Sequence, residues 1–406
     1  MDRDLRAGRL ATFGYFTLNG FLMGMWIVHI PGIEHRAGVG HAVLGWLLLL
    51  LGAGAVAGMQ VTGPLTDRFG ARGVVPISAA LCSGAAVLPA LAANAWTLGA
   101  ALLALGVGNG CLDVAMNVHA VQVEHAYRRP VMSAFHAAFS LGGVLAALAG
   151  ARTLSWGWSP AATLGAVALL GVAVAVLAAP ALLRPLPRAR GATAVSVRRR
   201  TPRRVWALAV LALVVMLCEG VAGDWSALHL RDVLGTSAAT AALAYGAFAT
   251  AMTLGRLLAD RVAACMGPVA VLRYGAGAAA LGLTAAALAP WVPLALAGWA
   301  VFGAGLSGCV PQLFSAAGHM ERGAAGANVS RVAGLGYLGM LAGPAAIGPL
   351  THVLPLNLAF FLPVACCLAA AAAAGIVRPA PLRADPAAAG SRSPDPAPAG
   401  GQRHDR

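Results

Sequence analysis

The segment Gly63-Pro64-Leu65-Thr66-Asp67-Arg68-Phe69-Gly70-Ala71-Arg72 lies between two long apolar runs of the chain. These runs cover about residues 42–63 and 74–92, and neither carries a charged side chain. A bilayer with a hydrocarbon core of roughly 30 Å is crossed by about 20 apolar residues in a helix. The segment is therefore predicted to be a short polar turn that joins two transmembrane helices.

The composition of the whole chain agrees with a membrane protein. Of its 406 residues, 59% are hydrophobic and only 10% are charged, and the mean hydropathy is +0.77. A soluble domain carries about 25% charged residues. The net charge of +14 does not indicate a nucleic-acid-binding protein, because the arginines are not gathered in one soluble patch.

Ten more apolar runs of similar length complete a set of twelve predicted spans. They cover about residues 11–31, 96–121, 132–153, 159–180, 205–230, 237–258, 268–289, 292–317, 325–350 and 355–377. Residues 184–204 hold eight arginines and no apolar run, and the tail from Arg378 is rich in Pro, Ala, Gly and Ser. We expect an N-terminal six-helix bundle (1–183), a basic cytoplasmic linker (184–204), a C-terminal six-helix bundle (205–377) and a disordered cytoplasmic tail (378–406).

The arginines predict the orientation in the membrane. They concentrate in the N-terminal tail, in the loops after the second and fourth spans and in the linker, whereas the other loops hold isolated cases such as Arg36, Arg152 and Arg231. Cytoplasmic loops carry the excess of positive charge in membrane proteins. Both termini are therefore expected in the cytoplasm of a multi-pass protein of the cell membrane.

The two halves of the sequence resemble each other. Asn19-Gly20 and Trp26 of the first span match Glu219-Gly220 and Trp225 of the seventh, and Gly108-x-Gly110-Cys111 matches Leu306-x-Gly308-Cys309. The turn with Asp67-Arg68 likewise matches Gly255-Arg256-Leu-Leu-Ala-Asp260-Arg261. Two repeated six-helix bundles related in this way are typical of secondary transporters, which expose a central site to each side in turn.

The turn between the second and third spans resembles the signature loop of the major facilitator superfamily, G-x-L-x-D-R-x-G-R/K-R/K, and departs from it at Ala71. The resemblance covers the chain from the first span to the twelfth and implies an all-α membrane fold of two pseudo-symmetric six-helix bundles. Asp67 can accept from the amides at the start of the next helix, and the arginines can pair across the gap between the halves. The predicted conformational latch comprises Gly63, Asp67, Arg68, Arg72, Arg256, Asp260 and Arg261.

Charged side chains inside the predicted spans mark candidate sites, because a charge near the bilayer centre costs at least about 2.5–3.5 kcal/mol. Glu219 near the middle of the seventh span is the first proton-coupling candidate, followed by Asp113 and His136. Arg331 is the predicted partner of Glu219 or Asp113, or of an anionic solute. The other candidates for lining the cavity are Asn19, Trp26, Asn117, Gln312 and Tyr337. The alternative is simple helix packing for these residues and for the proton-coupling candidates, and for Arg331 it is a side chain that extends to the cytoplasmic face.

The pattern Leu112-Asp113-x-x-x-Asn117 resembles the sugar-permease branch that contains the fucose–proton symporters, in which a carboxylate of the fourth helix takes part in coupling. Glu219-Gly220-x-x-x-Asp224-Trp225 is similar to bacterial inner-membrane proteins near that branch. The helix-5 Gly-Pro pattern of drug exporters is missing here.

We therefore predict a secondary transporter that works as a monomer in the lipid bilayer and imports a small polar, sugar-like solute with protons. The alternative is export of a small apolar compound or drug in exchange for protons. No enzymatic activity, cofactor, metal site or nucleic-acid partner is predicted, since HExxH, GxSxG and P-loop patterns do not occur in the sequence.

Overall fold

The computed structural model describes residues 3–39, 41–184, 201–320 and 324–378. Within these ranges the chain forms twelve long helices and no β-strand. The first six are α1 (Arg3–Ala37), α2 (His41–Phe69), α3 (Ala71–Ala85, continued by Leu88–Leu91), α4 (Ala95–Tyr127), α5 (Met132–Ser155) and α6 (Pro160–Ala178). The second six are α7 (Arg203–Asp232), α8 (Ala238–Met266), α9 (Pro268–Ala287), α10 (Val292–Leu306, continued by Cys309–His319), α11 (Ala325–Leu350) and α12 (Leu356–Ala359, continued by Phe361–Ala372).

In the described part of the chain, 11 helices are long and apolar enough to cross a membrane. The remaining one is α8, which carries Arg256, Asp260 and Arg261 in its second half. Several helices extend beyond the predicted apolar spans, as α1 does from residue 11 back to Arg3 and α4 from residue 121 to Tyr127. Hydropathy predicts the part inside the hydrocarbon, whereas backbone hydrogen bonding continues into the polar ends.

Parts of the predicted linker and tail lie outside the described residues. These parts are residues 185–200 and 379–406. Arg203 and Arg204, which were placed in the linker, instead begin α7. The Arg204 guanidinium donates to the carbonyls of Ile376 (2.9 Å) and Arg378, so the start of α7 is bonded to the segment that follows α12.

The two halves pack in the same way. In the first half α1 packs on α5, α2 on α4, and α3 on α4 and α6; in the second half α7 packs on α11, α8 on α10, and α9 on α10 and α12. Each pair in the second set follows from the first by adding six to the helix number. The helix packing therefore shows the same twofold repeat that the resemblance between the two halves of the sequence predicts.

Glycines allow two of these equivalent pairs to approach closely. A β-carbon at Gly20 of α1 would clash with the backbone carbonyl of Phe139 in α5, and one at Gly220 of α7 would clash with that of Met340 in α11. Small residues let helix backbones meet in membrane proteins, where packing rather than water exclusion drives association. The matched Gly20 and Gly220 therefore hold corresponding helix pairs together in each half.

The halves meet along two seams. One seam is between α2 and α11, and the other is between α5 and α8, which are again equivalent under the repeat. Asp67 and Gly63 lie at the first seam, and Asp260 and Arg256 lie at the second.

Candidate functional site

Asp67, at the end of α2, bonds to the first turn of α11 in the other half. Its Oδ1 accepts from the Gly326 amide at 2.7 Å, and its Oδ2 accepts from the Ala327 amide at 2.9 Å. First-turn amides have no partner within their own helix, and the positive end of the helix dipole attracts a carboxylate. The predicted role of Asp67 as an acceptor is present, but both donors belong to α11 rather than to the next helix, α3.

Asp260, at the corresponding place in α8, bonds to the first turn of α5. Its Oδ1 accepts from the Ser133 amide at 2.9 Å, and its Oδ2 accepts from the Ala134 amide at 2.7 Å. Each half thus supplies one aspartate that caps a helix of the opposite half. The two caps have the same geometry because they are equivalent under the repeat.

Glu124, near the end of α4, reinforces the cap on α5 and was not predicted. Its Oε2 accepts from the amides of Val131 (3.0 Å) and Met132 (3.1 Å), and its Oε1 accepts from the Ser315 hydroxyl of α10. A glutamate beside the basic Arg128 and Arg129 was the only signal in the sequence. The start of α5 is therefore held by carboxylates from both halves.

The arginines of the predicted latch behave differently from expectation. Arg72 donates to the carbonyl of Pro180 at 3.1 Å, within its own half, so the prediction that it pairs across the gap requires correction. Arg68 stacks on its neighbour Phe69 with 5.2 Å between the guanidinium carbon and the ring centroid, and Arg261 is exposed.

Gly63 contributes space rather than a bond. A β-carbon there would lie 2.5 Å from the β-carbon of Ser330 and 2.8 Å from the carbonyl oxygen of Gly326, both in α11. The Ser330 hydroxyl donates to the Met59 carbonyl at 2.7 Å, and Gln60 Nε2 donates to the Ser330 carbonyl at 3.1 Å. The α2–α11 seam is thus a close backbone contact.

Arg256 lies about one turn before Asp260 on α8 and points to a different set of partners. Its Nη2 lies 3.4 Å from Oε1 of Glu219, and its Nη1 donates to the Ser140 hydroxyl of α5 at 3.0 Å. Only 12% of the Arg256 side chain and 25% of the Glu219 side chain are exposed. The partner of Glu219 is therefore Arg256, not Arg331, which lies half-buried near the start of α11.

His136 lies one turn before Ser140 on α5. Its ring packs between Phe16, with ring centroids 5.4 Å apart, and Phe314, at 5.8 Å. Its Nε2 is buried and has no hydrogen-bond partner among the described residues. His136 thus lies beside the Arg256–Ser140 contact, in an aromatic setting that bridges the two halves.

Asp113 belongs to a second polar group, on α4. Asn117 Nδ2 donates to the Asp113 carbonyl at 2.8 Å and to its Oδ1 at 3.3 Å. One turn earlier, Asn109 Nδ2 donates to the Tyr337 hydroxyl of α11 at 3.3 Å. Tyr337 therefore joins the polar residues of α4 to α11 of the other half.

The remaining predicted lining residues are buried. Asn19, Trp26 and Gln312 are exposed by 1%, 3% and 5%, respectively. Asn117 bonds to Asp113 on its own helix, and Ser140 bonds to Arg256 of the other half. The site residues therefore form two groups, one around Glu219 and Arg256 and one around Asp113.

Comparison with known proteins identifies the family. The sequence profile of the Major Facilitator Superfamily matches residues 11–320. The chain belongs to the major facilitator superfamily. It is accordingly a multi-pass membrane transporter and not an enzyme, and the predicted all-α fold and family resemblance are confirmed.

Relatives within the superfamily cover most of the chain. An uncharacterised MFS-type transporter of Yersinia pestis is 37% identical over 347 residues, which are 85% of this chain and 89% of the relative. The crystal structure of the superfamily member FucP in the outward conformation is similar with a TM-score of 0.76 and 18% identity, over 93% of this chain and 100% of FucP. The proton:xylose symporter XylE matches with a TM-score of 0.69 and 14% identity, over 91% and 94% of the two chains.

Proposed function

We propose that this superfamily member imports a small polar, sugar-like solute together with protons by alternating access. The observation that carries the proposal is the partly buried Glu219–Arg256 pair, whose arginine also bonds Ser140 of the other half. Placing ionisable side chains within a membrane-spanning region costs free energy, and such residues commonly lie on ion or proton pathways.

Proton binding at Glu219 would release Arg256 from its charge partner. A protonated carboxyl keeps hydrogen-bonding capacity but loses the attraction to the guanidinium. Arg256 can then redistribute its hydrogen bonds toward α5 or toward a solute. The protonation state of Glu219 thereby controls the contact of Arg256 with Ser140 in the other half. Such a link between proton binding and the position of the two halves is what proton-coupled transport requires.

The Asp67 and Asp260 caps supply the second element of alternating access. They join the halves at the arginine-rich ends of the helices. An excess of positive charge is typical of cytoplasmic loops, which supports a cytoplasmic position for these ends. With both caps made, the protein is closed toward the cytoplasm. Opening on that side requires breaking two carboxylate–helix contacts, so the caps act as a latch.

The names of relatives support a sugar as the solute class. FucP is described as a fucose:proton symporter, XylE as a proton:xylose symporter, and a relative from Levilactobacillus brevis, 26% identical over 149 residues, as a D-xylose transporter. The amide, hydroxyl and carboxyl groups around Asp113 and Tyr337 are of the kind that bind hydroxyl groups.

Uptake into proteoliposomes tests the proposal. Purified protein is reconstituted, an inward proton gradient is imposed, and the accumulation of labelled monosaccharides is measured. We expect accumulation that a protonophore abolishes. Glu219→Gln should still exchange solute across the membrane but should not concentrate it, whereas Asp232→Asn, at an exposed ion pair with Arg231, serves as a matched carboxyl-to-amide control.

Gradient-driven accumulation by Glu219→Gln equal to that of the unchanged protein would refute the assigned proton site. The export alternative is tested by comparing drug susceptibility of strains that lack or overproduce the protein. Greater resistance on overproduction, without solute uptake, would replace import by export.

A further inference from the structure

A groove of about 400 Å³ runs between α7 and the last long helix, α12. At successive turns it is lined by Trp206, Val210 and Val214 on α7, and by Ala369, Ala373 and Ile376 on the other side. Ala373 and Ile376 belong to the turn that follows α12, Ala373–Val377. The step from Trp206 to Val214 is eight residues, so this α7–α12 groove extends for about 12 Å along α7.

Both walls of the α7–α12 groove are apolar. The wall on the α12 side consists of alanines and Ile376, and the wall on α7 consists mostly of larger side chains. Trp206 and Val210 are exposed by 49% and 54%, so the groove opens outward rather than into the core of the bundle. The bilayer core offers no water, so a surface of this kind is in contact with acyl chains.

Arginines gather at one end of the α7–α12 groove. Arg204 Nε donates to the carbonyl of the lining residue Ile376 at 2.9 Å, which places the Arg204 guanidinium at that end. Arg203 is exposed and lies three residues before Trp206 and four before Ala207, so it continues the lining face of α7 by one turn. Tryptophan is enriched at the interface between bilayer and water, which agrees with headgroups at the level of this end.

No carboxylate nearby in the sequence balances these arginines. The sequence holds no Asp or Glu between residues 125 and 218 or between residues 322 and 384, and these ranges include the start of α7 and all of α12. Five arginines lie within residues 198–204, and Arg203 forms no ion pair among the residues that the structure describes. Basic pockets between helices at the membrane surface attract the headgroups of anionic lipids.

We propose that an anionic phospholipid of the bilayer binds here, with one acyl chain in the α7–α12 groove and its phosphate at Arg203 and Arg204. The apolar walls match the chain, and the uncompensated arginines match the headgroup charge. A zwitterionic lipid fills the same groove but gains less at the arginines, because its headgroup carries no net charge. The site shares no residue with the Glu219–Arg256 pair or with the two aspartate caps, so it adds a ligand that the transport proposal does not include.

Lipid titration of the purified full chain tests the site. The protein is delipidated in a neutral detergent, and dioleoyl phosphatidylglycerol or dioleoyl phosphatidylcholine is added, which differ in headgroup charge but not in acyl chains. Bound lipid is counted by native mass spectrometry, and the Tm is recorded in parallel. We expect phosphatidylglycerol to bind about 30-fold more tightly, from about fivefold for each of two arginines, and to raise the Tm more at equal concentration.

Three variants separate the two parts of the site. Arg203→Gln should weaken the binding of phosphatidylglycerol about fivefold and leave that of phosphatidylcholine unchanged. Ala369→Phe, at an exposed position of the groove wall, should weaken the binding of both lipids because the ring occupies the place of the acyl chain. Arg152→Gln is the matched control, since exposed Arg152 lies 4.6 Å from the ring centroid of exposed Trp156 and neither residue lines the groove.

Equal affinity of the unchanged protein for the two lipids would overturn the proposal, as would an equal loss of phosphatidylglycerol binding in Arg203→Gln and Arg152→Gln. A dimer that Ala369→Phe converts to a monomer, with lipid binding unchanged, would make the groove an interface between two copies of the chain instead. These measurements need neither a proton gradient nor a solute, so their failure leaves the proton site at Glu219 untouched, and a failure of proton-driven uptake leaves the lipid site untouched.

Discussion

Replacing Asp260 by asparagine should shift the protein toward the conformation that is open on the arginine-rich side. The Asp260 carboxylate accepts two amide hydrogen bonds, of 2.9 and 2.7 Å, from the start of α5. Asparagine keeps one acceptor oxygen and loses the charge. One bond is therefore lost and the other weakens, but only in the conformation in which α5 and α8 are in contact.

The size of the shift follows from these two bonds. A hydrogen bond to a charged group contributes about 1.5–3 kcal/mol and a neutral one about 0.5–1.5 kcal/mol. The charge at the positive end of the α5 dipole contributes about 0.3–1 kcal/mol more. Glu124 still caps the same helix and offsets part of the loss. A net change of about 2 kcal/mol moves the ratio of closed to open protein by about 30-fold.

Spin-label distances measure this ratio. Phe69→Cys at the end of α2 and Met266→Cys at the end of α8 lie at exposed positions of opposite halves. The labels are placed in a protein in which the native cysteines are replaced, and the distance distribution is recorded by double electron–electron resonance. We expect a single short distance between the two labels in the protein with Asp260 unchanged, and a second, longer distance in Asp260→Asn.

Asp67→Asn should give the same result at the other seam, and Asp232→Asn should give none. A distribution that is identical in Asp260→Asn and in the unchanged protein, with the fold intact, would show that the cap does not contribute to closure.

Three further changes test other contacts. Arg256→Ala removes the bonds to Glu219 and Ser140, and we expect proton-driven accumulation in proteoliposomes to be lost and the Tm to fall, because Glu219 loses its charge partner; retained accumulation would contradict the coupling role. Gly326→Ala places a β-carbon against the Gly63 carbonyl, so closure should be impaired and the spin-label distance should lengthen. His119→Phe breaks the bonds to the Thr12 hydroxyl and to the Leu183 amide, leaving buried groups unpaired at a cost of about 1–3 kcal/mol in stability, which a lower Tm in detergent would report.

The twelve helices were predictable because the bilayer imposes a simple rule on sequence. A helix that crosses hydrocarbon needs an apolar run of fixed length, and the runs are visible without any partner. The helix pairs inside each half were also foreseeable in part, since Gly20 and Gly220 recur at matching places in the repeat.

The partners of the charged groups were not predictable. The turn motif identifies Asp67 as an acceptor, but its donors are 259 and 260 residues away in α11, and their position depends on how the halves dock. For the same reason the sequence offered Arg331 as one possible partner of Glu219 and did not point to Arg256. The sequence repeat aligns Arg256 with the signature turn around Asp67. The contacts of its side chain with Glu219 and Ser140 are visible only in the three-dimensional structure.

The alignment of Gly63 with Arg256 bears on how a duplicated transporter diversifies. The two positions are equivalent relative to Asp67 and Asp260, yet one permits backbone contact and the other carries a charge to the opposite bundle. The contacts that build each bundle, such as those at Gly20 and Gly220, are untouched by this difference. New chemistry can therefore be acquired at one seam of the molecule by single substitutions, while the ancestral symmetry of the scaffold is preserved.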